Sequence, residues 1–206
     1  MSSFNLPPST KLRQKLKTSF EKRVKSRKIF EDIDAIVLTH KLAPNTINIP
    51  QTNNVVEILI FEITLKTKEI PKKTIQEIKK LIPIPILFHF RYEDNFSYGI
   101  SLEEEDKFYF SSWNEKIEFN FNDTNLEKVY QNLVKKFLKN IDTIPNENLD
   151  FKKIIQFDSK INKLSKEIDV LRKKRDKERQ FNKKAILNKE LKALQKKLEA
   201  LKDDMR

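Results

Sequence analysis

Few side chains in this sequence have the types and spacing to do chemistry. The best set lies in VVEILIFEITLK, residues 55–66, where Glu57, Glu62 and Lys66 sit on one run of β-branched and aromatic residues. Carboxylates beside a lysine at a strand end can hold a divalent cation and steady a developing negative charge. The other acid–base candidates are His40 and His89, since the chain has two histidines and no cysteine. His89 alternates with Arg91 and Glu93 along a second apolar run, which suits a hydrogen-bonded structural imidazole better than a general base. His40 precedes a lysine and a turn and reads as a boundary residue. A single glycine, Gly99, leaves no glycine-rich loop for phosphates, which excludes a P-loop or dinucleotide-binding turn. Without thiols and with two imidazoles, the chain is poorly stocked for catalysis. Whether it is an enzyme stays open, and a non-catalytic role is favoured.

The spacing of the acidic set can be tested against one known arrangement. Metal-dependent nucleases of the PD-(D/E)xK type place an acid two residues before a lysine, so that both project from one strand face. Here Thr64 occupies that acid position. Glu62 shares the face of Lys66 but lies roughly 13 Å from it at ~3.3 Å per residue. The catalytic alternative is therefore a degenerate site of Glu57, Glu62 and Lys66 using Mg2+. The favoured reading has no catalytic residue, no metal and no cofactor. Trp113, with Phe108, Tyr109 and Phe110, could stack on bases, although alternating aromatics more often fill a core.

The elements that must position these residues follow from periodicity and charge. The 206 residues carry a net charge of +12, unevenly distributed. Residues 1–30 hold nine basic and one acidic side chain (+8), residues 31–150 hold 14 and 20 (−6), and residues 151–206 hold 19 and nine (+10). Two basic segments flanking an acidic body attract polyanions, of which nucleic acid is the commonest. Pro7–Pro8 followed by Ser9–Thr10 predicts a helix start, with Leu12, Leu16, Phe20 and Val24 as its apolar stripe. Around that stripe lie Lys11, Arg13, Lys15, Lys17, Lys22, Arg23, Lys25, Arg27 and Lys28. Residues 29–42 predict a second amphipathic helix on Phe30, Ile33, Ile36 and Val37.

Beyond Pro44, the strand at 55–66 is followed by a helix opened by Pro71 and closed by Pro83. PILFHFRYE and NFSYGISLE predict a hairpin through Asp94–Asn95, which EDKFYFSSW and EKIEFNF extend as a meander. NLEKVYQNLVKKFLKNI predicts a helix capped by Thr124 or Asn125. The fold expected is α/β: a mixed sheet with a strand–helix–strand unit and an antiparallel meander, plus a long helical extension. Its organisation reads as a basic helical arm (1–30), an α/β core (31–144), a polar linker (145–150) and a basic, coiled-coil-like extension (151–206). No secretory signal and no apolar run of membrane length is present, so a cytoplasmic setting is expected.

In the extension, Phe157, Ile161, Leu164, Ile168 and Leu171 form one apolar block, and Leu187, Leu191, Leu194, Leu198 and Leu201 form another. The blocks are out of register. Two readings fit, a hairpin or one long helix whose seam changes face, and the lack of proline or glycine favours the long helix. ERQFNKKAILNKEL, which runs into the second block, offers with the following Leu194 a partner-docking element of Gln180, Phe181, Asn182, Ile186, Leu187, Asn188, Leu191 and Leu194. The basic run Arg172, Lys173, Lys174 and Arg175 adds a second candidate nucleic-acid contact, and the tail could alternatively pair with a second copy.

FNLPPST, HKLAPNTINIP, EILIFEITLK with IPIPILFHF, and ERQFNKKAILNKEL together resemble the bacterial and archaeal domain-of-unknown-function family 4391, from about Phe4 to Leu201. In such proteins the QFN…N element appears as a unit. Members tend to stand beside DNA methyltransferases and superfamily-2 helicases in restriction-type or anti-phage defence neighbourhoods. The resemblance implies an accessory subunit of a DNA-defence complex. It would dock a helicase or methyltransferase through the C-terminal helix and touch nucleic-acid backbone, as non-specific DNA binding, with its basic segments.

Overall fold

A computed structural model describes residues 4–102, 107–138 and 150–203. The chain divides into two compact units, residues 1–137 and 138–206. The first is built on a six-stranded sheet whose strands lie in chain order. These are β1 (Lys11–Lys15), β2 (Ile33–Leu42), β3 (Ile58–Leu65), β4 (Ile86–Tyr92), β5 (Asn95–Ser101) and β6 (Phe108–Phe110). All neighbours are antiparallel except β3 and β4. That parallel pair is joined by a crossover helix, which with α1 (Lys17–Glu21) and α2 (Pro44–Ile47) ahead of it is α3 (Lys72–Leu81). The α/β class and the mixed sheet therefore stand as expected.

Alternation on β3 sends Leu59, Phe61, Ile63 and Leu65 to one face of the sheet. There they meet Phe88 and Phe90 of β4, Phe20 of α1, Phe30 of a 3-10 turn (Arg27–Phe30) and Ile75 and Ile78 of α3. Each such side chain fully withdrawn from water contributes about 1.5–3 kcal/mol. The opposite face carries Ile60, Leu87 and Ile100 at one end and polar residues at the other. Beside it runs α4 (Leu126–Lys135), capped by Asn125, whose side chain accepts from the Lys128 amide at 2.9 Å. Tyr130 of α4 donates its hydroxyl hydrogen to the Ser101 carbonyl.

Three local expectations are corrected. Lys11–Lys15 is not the start of a helix but an edge strand paired with β2, and only Lys17–Glu21 is α-helical. A spacing of four, as in Leu12, Leu16 and Phe20, fits a helix of period 3.6 and equally keeps one face of a period-two strand. The segment expected as a second helix is β2. The register of β2 on β3 shifts between Ile33 and Ala35, so Ile33 and Ile36 both face the core three residues apart. A bulge thereby imitates helical spacing. Third, residues 115–121 form no strand, although their alternation persists and Phe119 packs on Tyr98 at 4.9 Å. The expected core end near residue 144 and the linker 145–150 lie outside the described residues, Asp150 excepted.

The second unit contains α5 (Phe151–Lys177) and α6 (Phe181–Asp203), which pack on each other as a hairpin. This corrects the expectation of one continuous helix. Glu178 leaves the helix with φ −74° and ψ 129°, and its carboxylate accepts from the Gln180 amide at 2.9 Å. A carboxylate that closes the three-residue link ahead of α6 takes the place of the glycine or proline that normally marks such a break. The same contact holds the Glu178 pKa below the usual carboxylate value. Ile161, Leu164, Ile168, Leu187 and Leu191 are buried in this unit.

Candidate functional site

The β-ladder registers align side chains from several strands into rows on the sheet face opposite the main core. Lys15 pairs with Val37, Val37 with Glu62, Glu62 with His89 and His89 with Tyr98. The next row runs Ala35, Thr64, Arg91 and Phe96. Glu62, His89 and Arg91 meet at this point. His89 Nδ1 lies 3.4 Å from Glu62 Oε2, and Arg91 Nη1 lies 3.8 Å from Glu62 Oε1. His89 is buried, and Tyr98 stacks on its ring at 5.2 Å. Phe4 sets its ring edge-on to both His89 (5.9 Å) and His40 (5.8 Å), fastening the N-terminal segment over the sheet.

Electrostatics follow from this contact set. The Glu62 carboxyl is held below its ordinary 4.5, first by the hydrogen bond with His89, against the opposing effect of burial, and then by the charges of His89 and Arg91. A depressed acid stabilises the fold only while ionised. That contribution is present above about pH 4.5 and is lost as pH falls through the lower folded-state value. Melting temperatures of wild type and Glu62→Gln should therefore differ at pH 6 and converge toward pH 3. A gap that widens in acid would refute the assignment. Burial lowers the His40 pKa, and Lys11, its partner across the β1–β2 ladder, lowers it further.

The other sequence-derived candidates are dispersed. Glu57 lies just ahead of β3 on the parity of Leu59 and Phe61, where it pairs with Lys41. Glu62 takes the other parity, roughly 16 Å along at ~3.3 Å per residue. Lys66 is exposed beyond the strand, and its amide donates to the Asp32 carbonyl. Glu57, Glu62 and Lys66 do not converge on one cation, so they do not fit a bound Mg2+. Among the described residues no cluster of three or more His, Asp or Glu is placed to hold a metal ion. Trp113 packs against the main core with Phe108 and Phe110, while Lys68 lies 5.8 Å over its ring.

The basic residues separate into used and open cations. Lys17 donates to the Ile33 carbonyl and pairs with Glu21. Lys11, Arg13, Lys15, Lys22, Arg23, Lys25, Arg27 and Lys28 are all exposed. On α5, Arg172 pairs with Asp169 (3.6 Å) and Arg175 with Asp176 (2.6 Å), while Lys173 and Lys174 are exposed. The docking candidates divide as well. Leu187 and Leu191 are buried within the hairpin, and Leu194 is half-buried. Gln180, Asn182 and Asn188 are exposed, as are Phe181 (83%) and Ile186 (58%).

A family model described as Domain of unknown function (DUF4391) matches residues 4–198. The chain belongs to that family. The match takes in all six strands of the DUF4391 domain, the Glu62–His89–Arg91 cluster and nearly all of the helical hairpin. No curated protein and no solved structure matches the chain. Among the described residues of this DUF4391 protein, no helix is long and apolar enough to cross a membrane. Sequence reasoning finds His89, Arg91 and Glu62 separately. Their meeting depends on the parallel register of β3 on β4, which no local pattern encodes.

Proposed function

We propose that the protein is a non-catalytic accessory subunit of a cytoplasmic DNA-defence complex. It holds nucleic-acid backbone on the basic stretch 11–28, which opens as the sheet-edge strand β1, and docks a helicase or methyltransferase through the helical hairpin. The observation that carries the first part is the exposure of eight cations between Lys11 and Lys28, none of them in an ion pair among the described residues. An open cation has no partner to exchange when it meets a phosphate, so counterion release drives binding. Support for docking comes from Phe181 and Ile186, which an isolated hairpin leaves in water. The partner class rests on the company that the family keeps, and the restriction-type or anti-phage setting rests on the same ground.

Two measurements on the full chain test the reading. Anisotropy of a labelled oligonucleotide between about 50 and 200 mM salt should show affinity falling linearly on logarithmic axes. Affinity indifferent to salt would overturn the backbone contact, and strand cleavage with Mg2+ would replace the accessory role by a nuclease. A tagged pull-down treated with nuclease should retain the helicase or methyltransferase, and the pair Phe181→Ser, Ile186→Ser should lose it. Retention by that variant would remove the hairpin tip from the docking surface.

A further inference from the structure

At the polar end of the β3–β4 pair lies a cavity of about 130 Å3 that has no part in backbone binding or docking. Its walls are Glu62, His89, Arg91 and Phe96, with Glu93 and Asp94 at the β4–β5 turn. Drug-sized ligands occupy ~300–1,000 Å3, so this space suits one flat heterocycle. Three carboxylates against one guanidinium and one imidazole disfavour a phosphate there. Cations stand around the cavity instead. Lys68 reaches Asn95 Oδ1 at the rim (3.2 Å). Lys15 lies two strands from Glu62 in the same row, roughly 10 Å at ~4.8 Å per strand. The arrangement is neutral-to-acidic inside and basic outside, which separates a base from its phosphates.

We infer that this cavity takes a single unpaired guanine base of a nucleic-acid strand, with N1–H and N2–H donated to Glu62, O6 accepting from Arg91, and the ring on Phe96. Unpaired bases are read by such edge contacts together with aromatic stacking. Guanine is singled out because its base-pairing edge sets two N–H donors side by side, which a carboxylate accepts together, next to an oxygen that a guanidinium can serve. Adenine and cytosine place a ring-nitrogen lone pair beside their amine and would repel one carboxylate oxygen. Thymine and uracil flank their single N–H with carbonyls. The inference rests on the nucleic-acid part of the proposed function and adds base preference to a contact otherwise blind to sequence.

The test uses the two histidines as probes. Ring-proton NMR signals of the full chain, assigned with His40→Gln, are followed while guanosine 5′-monophosphate or cytidine 5′-monophosphate is added. Guanosine monophosphate should move the His89 signals and leave those of His40 in place. Glu62→Gln, with circular dichroism as the fold check, should weaken that response at least tenfold. Equal responses to both nucleotides, or none to guanosine monophosphate, would overturn the base site. Oligonucleotide anisotropy on the same sample reads the basic edge independently. DNA binding without a His89 response sinks the guanine site alone, and a His89 response without salt-dependent DNA binding sinks the basic edge instead.

Discussion

Replacing Lys11, Arg13 and Lys15 together by glutamine is expected to weaken binding to a single-stranded oligonucleotide by about 100-fold at ~0.1 M salt. Each phosphate contact on a single strand contributes about 0.7 to the slope of log affinity against log salt, so three lost contacts should flatten it by about 2. All three residues are exposed on the outermost strand of the sheet. Glutamine keeps the length and polarity of the side chains, which matters because charged residues on an edge strand also discourage pairing between molecules. Light scattering should show the variant still dispersed. Arg172→Gln with Arg175→Gln should cost much less, since both guanidinium groups lie against Asp169 and Asp176 and must exchange those partners to reach a phosphate. A larger loss in the hairpin variant than in the β1 variant would place the nucleic acid on the hairpin rather than on the sheet edge.

Phe61→Ala should cost about 3–5 kcal/mol, a large share of the ~5–15 kcal/mol that holds a domain folded. Phe61 is fully buried in the central strand, its ring 6.2 Å from Phe20 and 6.3 Å from Phe88. Removing it empties the layer between α1 and the sheet, and neighbours packed this densely relax only in part. Urea unfolding should show a lower midpoint with an unchanged slope. Phe181→Ala removes the same atoms from a ring that is 83% exposed and should change stability by less than ~0.5 kcal/mol. If Phe181→Ala proved as costly as Phe61→Ala, the ring could not stand in water as described.

Segments whose apolar pattern allows only one period are legible in the sequence. β3 is legible because its apolar run is short, β-branched and bounded by turn residues, and α3 because Pro71 and Pro83 bracket it. The edge strand β1 and the strand β2 both read as helices. For β1 the cause is a four-residue repeat that suits both periods, and for β2 it is a bulge that adds one residue between Ile33 and Ala35. The bend at Glu178 is hidden for a different reason. A carboxylate closing the link ahead of α6 looks in sequence like any charged residue of a solvated helix. At the site, the cation count is legible as composition. The Glu62–His89–Arg91 contact is not, because it needs two strands brought parallel by a crossover helix.

Every strand of the sheet hydrogen-bonds to its neighbour in the chain, with no strand inserted between earlier ones. A polypeptide leaving the ribosome can therefore complete each pairing as soon as the next strand emerges, and no early edge must be held open for a late one. The longest wait is for β4, which must follow α3 before it closes beside β3. Until then the face of β3 that bears Phe61 and Ile63 lacks its β4 neighbours. The interval between synthesis of Leu65 and Ile86 is thus the longest in which a finished strand waits for the next neighbour to begin covering its edge.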